Sequence, residues 1–185
     1  VRFYNERNDI PDEPKPYGLA GWSRDDQFVF IYDRFDIWKI DPSGKQGPVC
    51  ATSGYGRENH LQFRYIRTDP DEEFIPSGKL SLLSAFNTET MSSGFYNSDL
   101  HAQKGPGLLL MSNNKYGGVQ KARKSDRMIW TKESVSDFPD LWTSNLSFEN
   151  PNRISMANPQ QKDYNWLTVE LVEWKSFTGE TLKGL

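Results

Sequence analysis

Few residues in this chain combine the type and spacing that chemistry needs. Asp69, Asp71, Glu72 and Glu73 form an acidic run bracketed by prolines. The run lacks the alternating ligands and central glycine of a calcium loop, so a solvated loop is the simpler reading. Arg57 and Arg64 flank His60 in a stretch that reads as a linker between structural units, and a guanidinium fork suits a carbonyl or carboxylate partner. The competing reading for either arginine is an ion pair at the surface or between structural units. Lys121, Arg123, Lys124 and Arg127 form a basic cluster, but on strands the alternation of side chains divides them between two faces. The only cysteine, Cys50, sits between Val49 and Ala51 and reads as a small buried hydrophobe. A lone cysteine excludes an intrachain disulfide framework and a cysteine-rich zinc site. No metal and no cofactor is expected. Asn145-Leu146-Ser147 matches a glycosylation acceptor, a pattern common enough by chance that no role is assigned to it.

The elements that must position these groups are short strands. In 185 residues there are 25 aromatic side chains (11 Phe, 8 Tyr, 6 Trp), a burial payload that suits sheets better than helices. With 22 basic and 25 acidic residues the net charge is −3, so no overall field draws the chain to nucleic acid or to an anionic membrane. No stretch approaches 18 apolar residues, and Val1-Arg2-Phe3-Tyr4-Asn5-Glu6 has no signal pattern. Neither nucleic acid nor membrane is expected as a partner.

Turn clusters divide the chain at regular places. Ser23-Arg24-Asp25-Asp26 separates Gly21-Trp22 from Phe28-Val29-Phe30-Ile31-Tyr32, and Asp36-Ile37-Trp38-Lys39-Ile40 and Pro48-Val49-Cys50-Ala51-Thr52 follow. Such a set of short strands within roughly 35 residues has the make-up of one propeller blade. Asp140-Leu141-Trp142 repeats Asp36-Ile37-Trp38 at an interval of 104 residues, which leaves room for a middle unit. Leu80 to Phe86 and Met91 to Tyr96 supply two of its strands, with Phe95 and Tyr96 near the position of Trp38. Recurrence at equivalent positions makes blade-to-blade packing the simpler reading of Trp38 and Trp142. Asp69 to Pro76 reads as a loop or one helical turn. Tyr164 to Trp174 alternates as one long strand or a strand pair, and Lys175 to Leu185 as a hairpin whose second strand is cut off. The expectation is an all-β partial β-propeller of about four blades of antiparallel meanders.

Four segments carry a family resemblance. They are Pro14-Lys15-Pro16-Tyr17-Gly18-Leu19-Ala20-Gly21-Trp22-Ser23; Tyr32-Asp33-Arg34-Phe35-Asp36-Ile37-Trp38; Trp130-Thr131-Lys132-Glu133-Ser134 with Phe138-Pro139-Asp140-Leu141-Trp142; and Asn158-Pro159-Gln160-Gln161 running to Glu173-Trp174-Lys175-Ser176-Phe177-Thr178-Gly179. Together they resemble the prolyl oligopeptidase family of serine peptidases, specifically bacterial dipeptidyl-peptidase or acylaminoacyl-peptidase-like members. The resemblance implies the C-terminal part of that family's propeller. Residues 1–165 would be blades of an incomplete ring, and residues 166–185 the last strand and the linker toward an α/β-hydrolase domain outside this chain. The propeller would gate substrate for peptide-bond hydrolysis, with peptide and hydrolase domain as partners and the fragment itself inactive. Free blade edges would lead the fragment to associate with itself.

That family's nucleophile lies on a Gly-x-Ser-x-Gly elbow, and no such pentapeptide occurs here. His60 and His101 stand in no motif like the family's catalytic histidine, so no catalytic residue is assigned. By resemblance, Arg57 and Arg64 would hold a substrate carbonyl or carboxylate, and Glu72 with Glu73 the free amino terminus of a peptide. The resemblance favours a periplasmic or secreted location, with the cytoplasm as the alternative. Two other readings use the same strands: a stand-alone protein-interaction module, and a propeller glycosidase or lyase, for which the sequence singles out no carboxylate pair.

Overall fold

A computed structural model describes residues 1–185. The chain is all-β, built as three consecutive four-stranded antiparallel sheets followed by a two-stranded hairpin. The first sheet holds β1 (Leu19–Trp22), β2 (Val29–Tyr32), β3 (Ile37–Ile40) and β4 (Val49–Cys50). The second holds β5 (Leu61–Ile66), β6 (Ser81–Asn87), β7 (Ser93–Ser98) and β8 (Gly107–Ser112). The third holds β9 (Lys115–Lys121), β10 (Arg127–Glu133), β11 (Asp140–Asn145) and β12 (Asn152–Arg153). In each, spatial order equals chain order, the simplest meander. No sheet closes on itself. Where about four units are expected, three four-stranded sheets are present, followed by the two-stranded hairpin β13 (Val172–Lys175) and β14 (Thr181–Gly184).

Local chemistry explains the turns. Between β1 and β2, Asp25 and Asp26 adopt left-handed φ of 62° and 54°, and the Ser23 hydroxyl accepts the Phe28 amide at 2.8 Å. Between β2 and β3, the buried Asp33 carboxylate accepts the amides of Phe35 and Asp36 at 2.7 and 2.6 Å, an Asx turn that fixes where β3 begins.

The middle sheet packs against a cluster on each face, which is why β6 carries apolar residues at the adjacent positions Leu82 and Leu83. Alternation along β6 sends Leu83 and Ala85 toward the first sheet, where they pack with Phe30, Ile37, Phe63 and Leu100. Leu82 points the other way, to Phe95, Met128, Trp130 and Phe148. Gly94 permits the close approach of β7 to β8, since a Cβ there would stand 1.9 Å from the Leu110 carbonyl oxygen.

Three expectations are corrected. Of Tyr164 to Trp174, only Val172–Lys175 is strand: the backbone groups of residues 165–171 find no partner in the chain, so the alternating pattern there lacks the neighbour that a strand needs. The hairpin has both its strands, joined through Ser176 to Glu180 with Gly179 at φ 86°, and the register runs from Lys175 opposite Thr181 to Val172 opposite Gly184. Trp38 does not pack between sheets; its ring meets Phe3 edge-on at 6.1 Å and its indole donates to Asp33 at 3.1 Å. Asp69 to Pro76 is a loop, as its prolines require.

Candidate functional site

The repeated Asp-apolar-Trp segments turn out to be latches. Asp36, buried at 1% exposure just before β3, accepts the Thr52 hydroxyl at 2.6 Å and the amides of Gly56 and Arg57, each at 2.9 Å. Thr52 in turn accepts the Ile37 amide, and the Ala51 amide reaches the Ile37 carbonyl. Asp140, just before β11, repeats this pattern. It accepts the Ser155 hydroxyl at 2.6 Å and the Ala157 amide at 2.9 Å, while Ser155 accepts the Leu141 amide and the Ile154 amide reaches the Leu141 carbonyl. Registers agree as well: Trp38 stands opposite Cys50 and Trp142 opposite Arg153, two residues before Thr52 and Ser155. Each latch ties the third strand of a sheet to the segment leaving its fourth.

The two carboxyls titrate in opposite directions. Burial pushes Asp36 up against the pull of its donors. Asp140 is held below the usual carboxylate range by the Ser155 hydroxyl, the Ala157 amide and the Arg153 guanidinium that pairs with it. A carboxyl whose folded-state value is depressed contributes stability in full above its unfolded value near 4 and loses it as pH falls through the folded one. Asp140→Asn is therefore expected to lower the urea midpoint most at neutral pH and to converge on the parent chain as pH approaches 3. A gap that widens toward acid would refute this origin.

The sequence-singled arginines occupy different surroundings. Arg57 lies in the helical turn Tyr55–Glu58 between β4 and β5, where its amide helps close the Asp36 latch. Its guanidinium bonds Glu6 at 3.0 Å and buried Asp33 at 3.1 Å, over the Phe35 ring. Both anions raise the Arg57 value, Glu6 foremost. This is the ion pair of the simpler reading. Arg64 is not in a linker: it belongs to β5, because the strand begins at Leu61. It donates to the Phe63 carbonyl at 2.6 Å and lies over the Tyr32 ring at 4.6 Å, with no carboxylate in ion-pair contact. Burial pulls the Arg64 guanidinium down, and it stays charged.

Glu72 meets the Tyr65 hydroxyl at 3.5 Å, and burial together with Glu72 pushes that phenol up to about 12. Glu73 is exposed and makes no side-chain hydrogen bond or ion pair. No hydrogen bond or ion pair joins any of Arg57, Arg64, Glu72 and Glu73 to another of the four.

What sequence reasoning missed is a cavity of about 1100 Å³ between the second and third sheets and the C-terminal segment. Arg64 stands in its wall, with Phe86, Asn114, Tyr116 and Val135, and Leu167, Val169, Leu171 and Leu185 form its C-terminal side. The alternation of residues 166–171 was the available signal. No cluster of His, Cys, Asp and Glu side chains has the spacing to hold a metal ion, and no helix is long and apolar enough to cross a membrane. No protein-family model and no curated protein matches the chain.

Proposed function

We propose that this chain is part of the substrate-gating β-propeller of a serine peptidase resembling the prolyl oligopeptidase family. The observation that carries the reading is the succession of three four-stranded meanders in which the first and third share one latch, register for register. Radially repeated sheets of this size are the units of propellers. The C-terminal hairpin adds support. Its aromatic side chains lie in the open, Trp174 at 48% and Phe177 at 103% exposure, a surface suited to being covered by a further domain. In the whole enzyme, the serine, histidine and aspartate of an α/β-hydrolase domain would carry out acyl transfer from peptide to serine and then to water. The sheets described here contribute no catalytic group; they limit what reaches the serine.

A gate discriminates by size. The product of the whole reading frame is expected to hydrolyse short peptide amides and to act at least tenfold more slowly, per susceptible bond, on an unfolded full-length casein. Equal rates on both, or no hydrolysis of either, would overturn the reading.

A further inference from the structure

The first and third sheets share a latch and differ in the charge beside it. In the first, Trp38 stands opposite Ile31, and two residues beyond Ile31 comes Asp33, paired through its amide with the Asp36 carbonyl at 3.0 Å. In the third, Trp142 stands opposite Trp130, and two residues beyond Trp130 comes Lys132, opposite Asp140. Register therefore sets a cation where the first sheet has an anion. That anion is answered from within the chain: the Trp38 indole and the Arg57 guanidinium each donate to Asp33 Oδ2 at 3.1 Å. Lys132 has no such answer. Its Nζ lies 4.9 Å from the centre of the Trp142 ring, and no carboxylate is in ion-pair contact with it.

Residues 133–139 separate Lys132 from Asp140, where only 34 and 35 separate Asp33 from Asp36, and the longer link borders a second cavity of about 130 Å³. Lys132, Trp142, Arg153 and Asn158 line it with Asp137 and Asp140. Two donors besides Lys132 are unused. Arg153 bonds Asp140 through Nη2 and the Ser155 carbonyl through Nε, which leaves Nη1. The Asn158 side chain, at the start of the helical turn Pro159–Asp163, caps no amide. Both acids are engaged, Asp140 by Arg153, Ser155 and the Ala157 amide, and exposed Asp137 by the Ser134 hydroxyl at 3.0 Å. We infer that this cavity binds a small carboxylate, which answers Lys132 in the third sheet as Arg57 answers Asp33 in the first. The two oxygens of a carboxylate suit a guanidinium and an ammonium together, and the acids in the wall oppose an anion of higher charge such as phosphate. The site does not depend on the peptidase reading.

Acetate replacing chloride at constant ionic strength tests the site, followed by the Trp142 indole N–H in nitrogen–proton correlation spectra of this chain. A saturable shift is expected, with half-saturation below about 10 mM. Lys132→Met keeps an apolar stem over the ring and removes the charge. It should raise half-saturation at least tenfold, the scale of about one charge-assisted hydrogen bond, and Lys132→Arg should restore it. Unchanged indole signals from Trp22 and Trp38, in the first sheet, show that a variant is folded; if Lys132→Met is not, Lys132→Gln carries the same expectation. A shift that never saturates, or equal half-saturation with and without the Lys132 charge, would overturn the proposal. N-acetylglycine and N-acetylglycinamide identify the source. Tighter binding of N-acetylglycine than of acetate supports the proposal with a peptide C-terminus as ligand, and the reverse order supports it with a free acid. Equal binding of the acid and its amide would overturn it.

Discussion

Asp36→Ala is expected to destabilise the chain by about 4 kcal/mol, because it leaves three donors without an acceptor in a buried site. The Thr52 hydroxyl, the Gly56 amide and the Arg57 amide all converge on this carboxylate, and each orphaned buried donor costs about 1–3 kcal/mol. Against a typical stability of about 5–15 kcal/mol this is a large fraction. Urea unfolding gives the total, and exchange of the Gly56 and Arg57 amides locates it. Asp36→Asn keeps one acceptor oxygen and should fall between the two. If alanine costs less than about 1 kcal/mol, the latch does not hold β3 to the segment that leaves β4.

Trp130→Ala is the second large expectation, at about 3–5 kcal/mol, the range for emptying an aromatic site in a packed core. Trp130 is 1% exposed and stacks on Trp142 with ring centroids 5.7 Å apart and planes 15° from parallel. Tyr116 meets it edge-on, and its indole donates to Ser144 at 3.1 Å. Removing the ring empties the contact between the second and third sheets, where Leu82, Phe95 and Met128 also gather. Melting curves should show the loss, and near-ultraviolet circular dichroism should lose the signal of the stacked indoles. Trp130→Phe should recover more than half of the loss. An unchanged melting temperature for the alanine variant would mean that the two sheets pack without this ring.

Much of this architecture could be read from residue order. Ser23 to Asp26 announces a turn because Ser and Asp supply side-chain acceptors there, and Trp38 and Trp142 mark third strands in matching register. The latches were not legible. Asp36 finds its partner at Thr52 and Asp140 at Ser155, separations set by strand and turn lengths that no local window contains. Arg64 reads as a linker residue in the sequence, whereas β5 starts at Leu61, directly after the turn that ends at His60. For residues 164–171, alternation was present in the sequence, but alternation describes a preference, and a strand forms only where a neighbour supplies the hydrogen bonds. The candidate binding residues dispersed for a similar reason: charge and spacing identify groups able to bind, whereas Asp33 and Glu6 had already engaged Arg57.

These sheets, on the reading proposed above, serve a serine peptidase whose catalytic machinery lies outside residues 1–185. Its most direct test is to treat the product of the whole reading frame with a fluorophosphonate and locate the adduct by peptide mass spectrometry. The expected result is a single phosphonylated serine within a Gly-x-Ser-x-Gly sequence beyond Leu185, and no label on the 1–185 chain alone. An unlabelled whole product, or an adduct on a serine among residues 1–185, would contradict it.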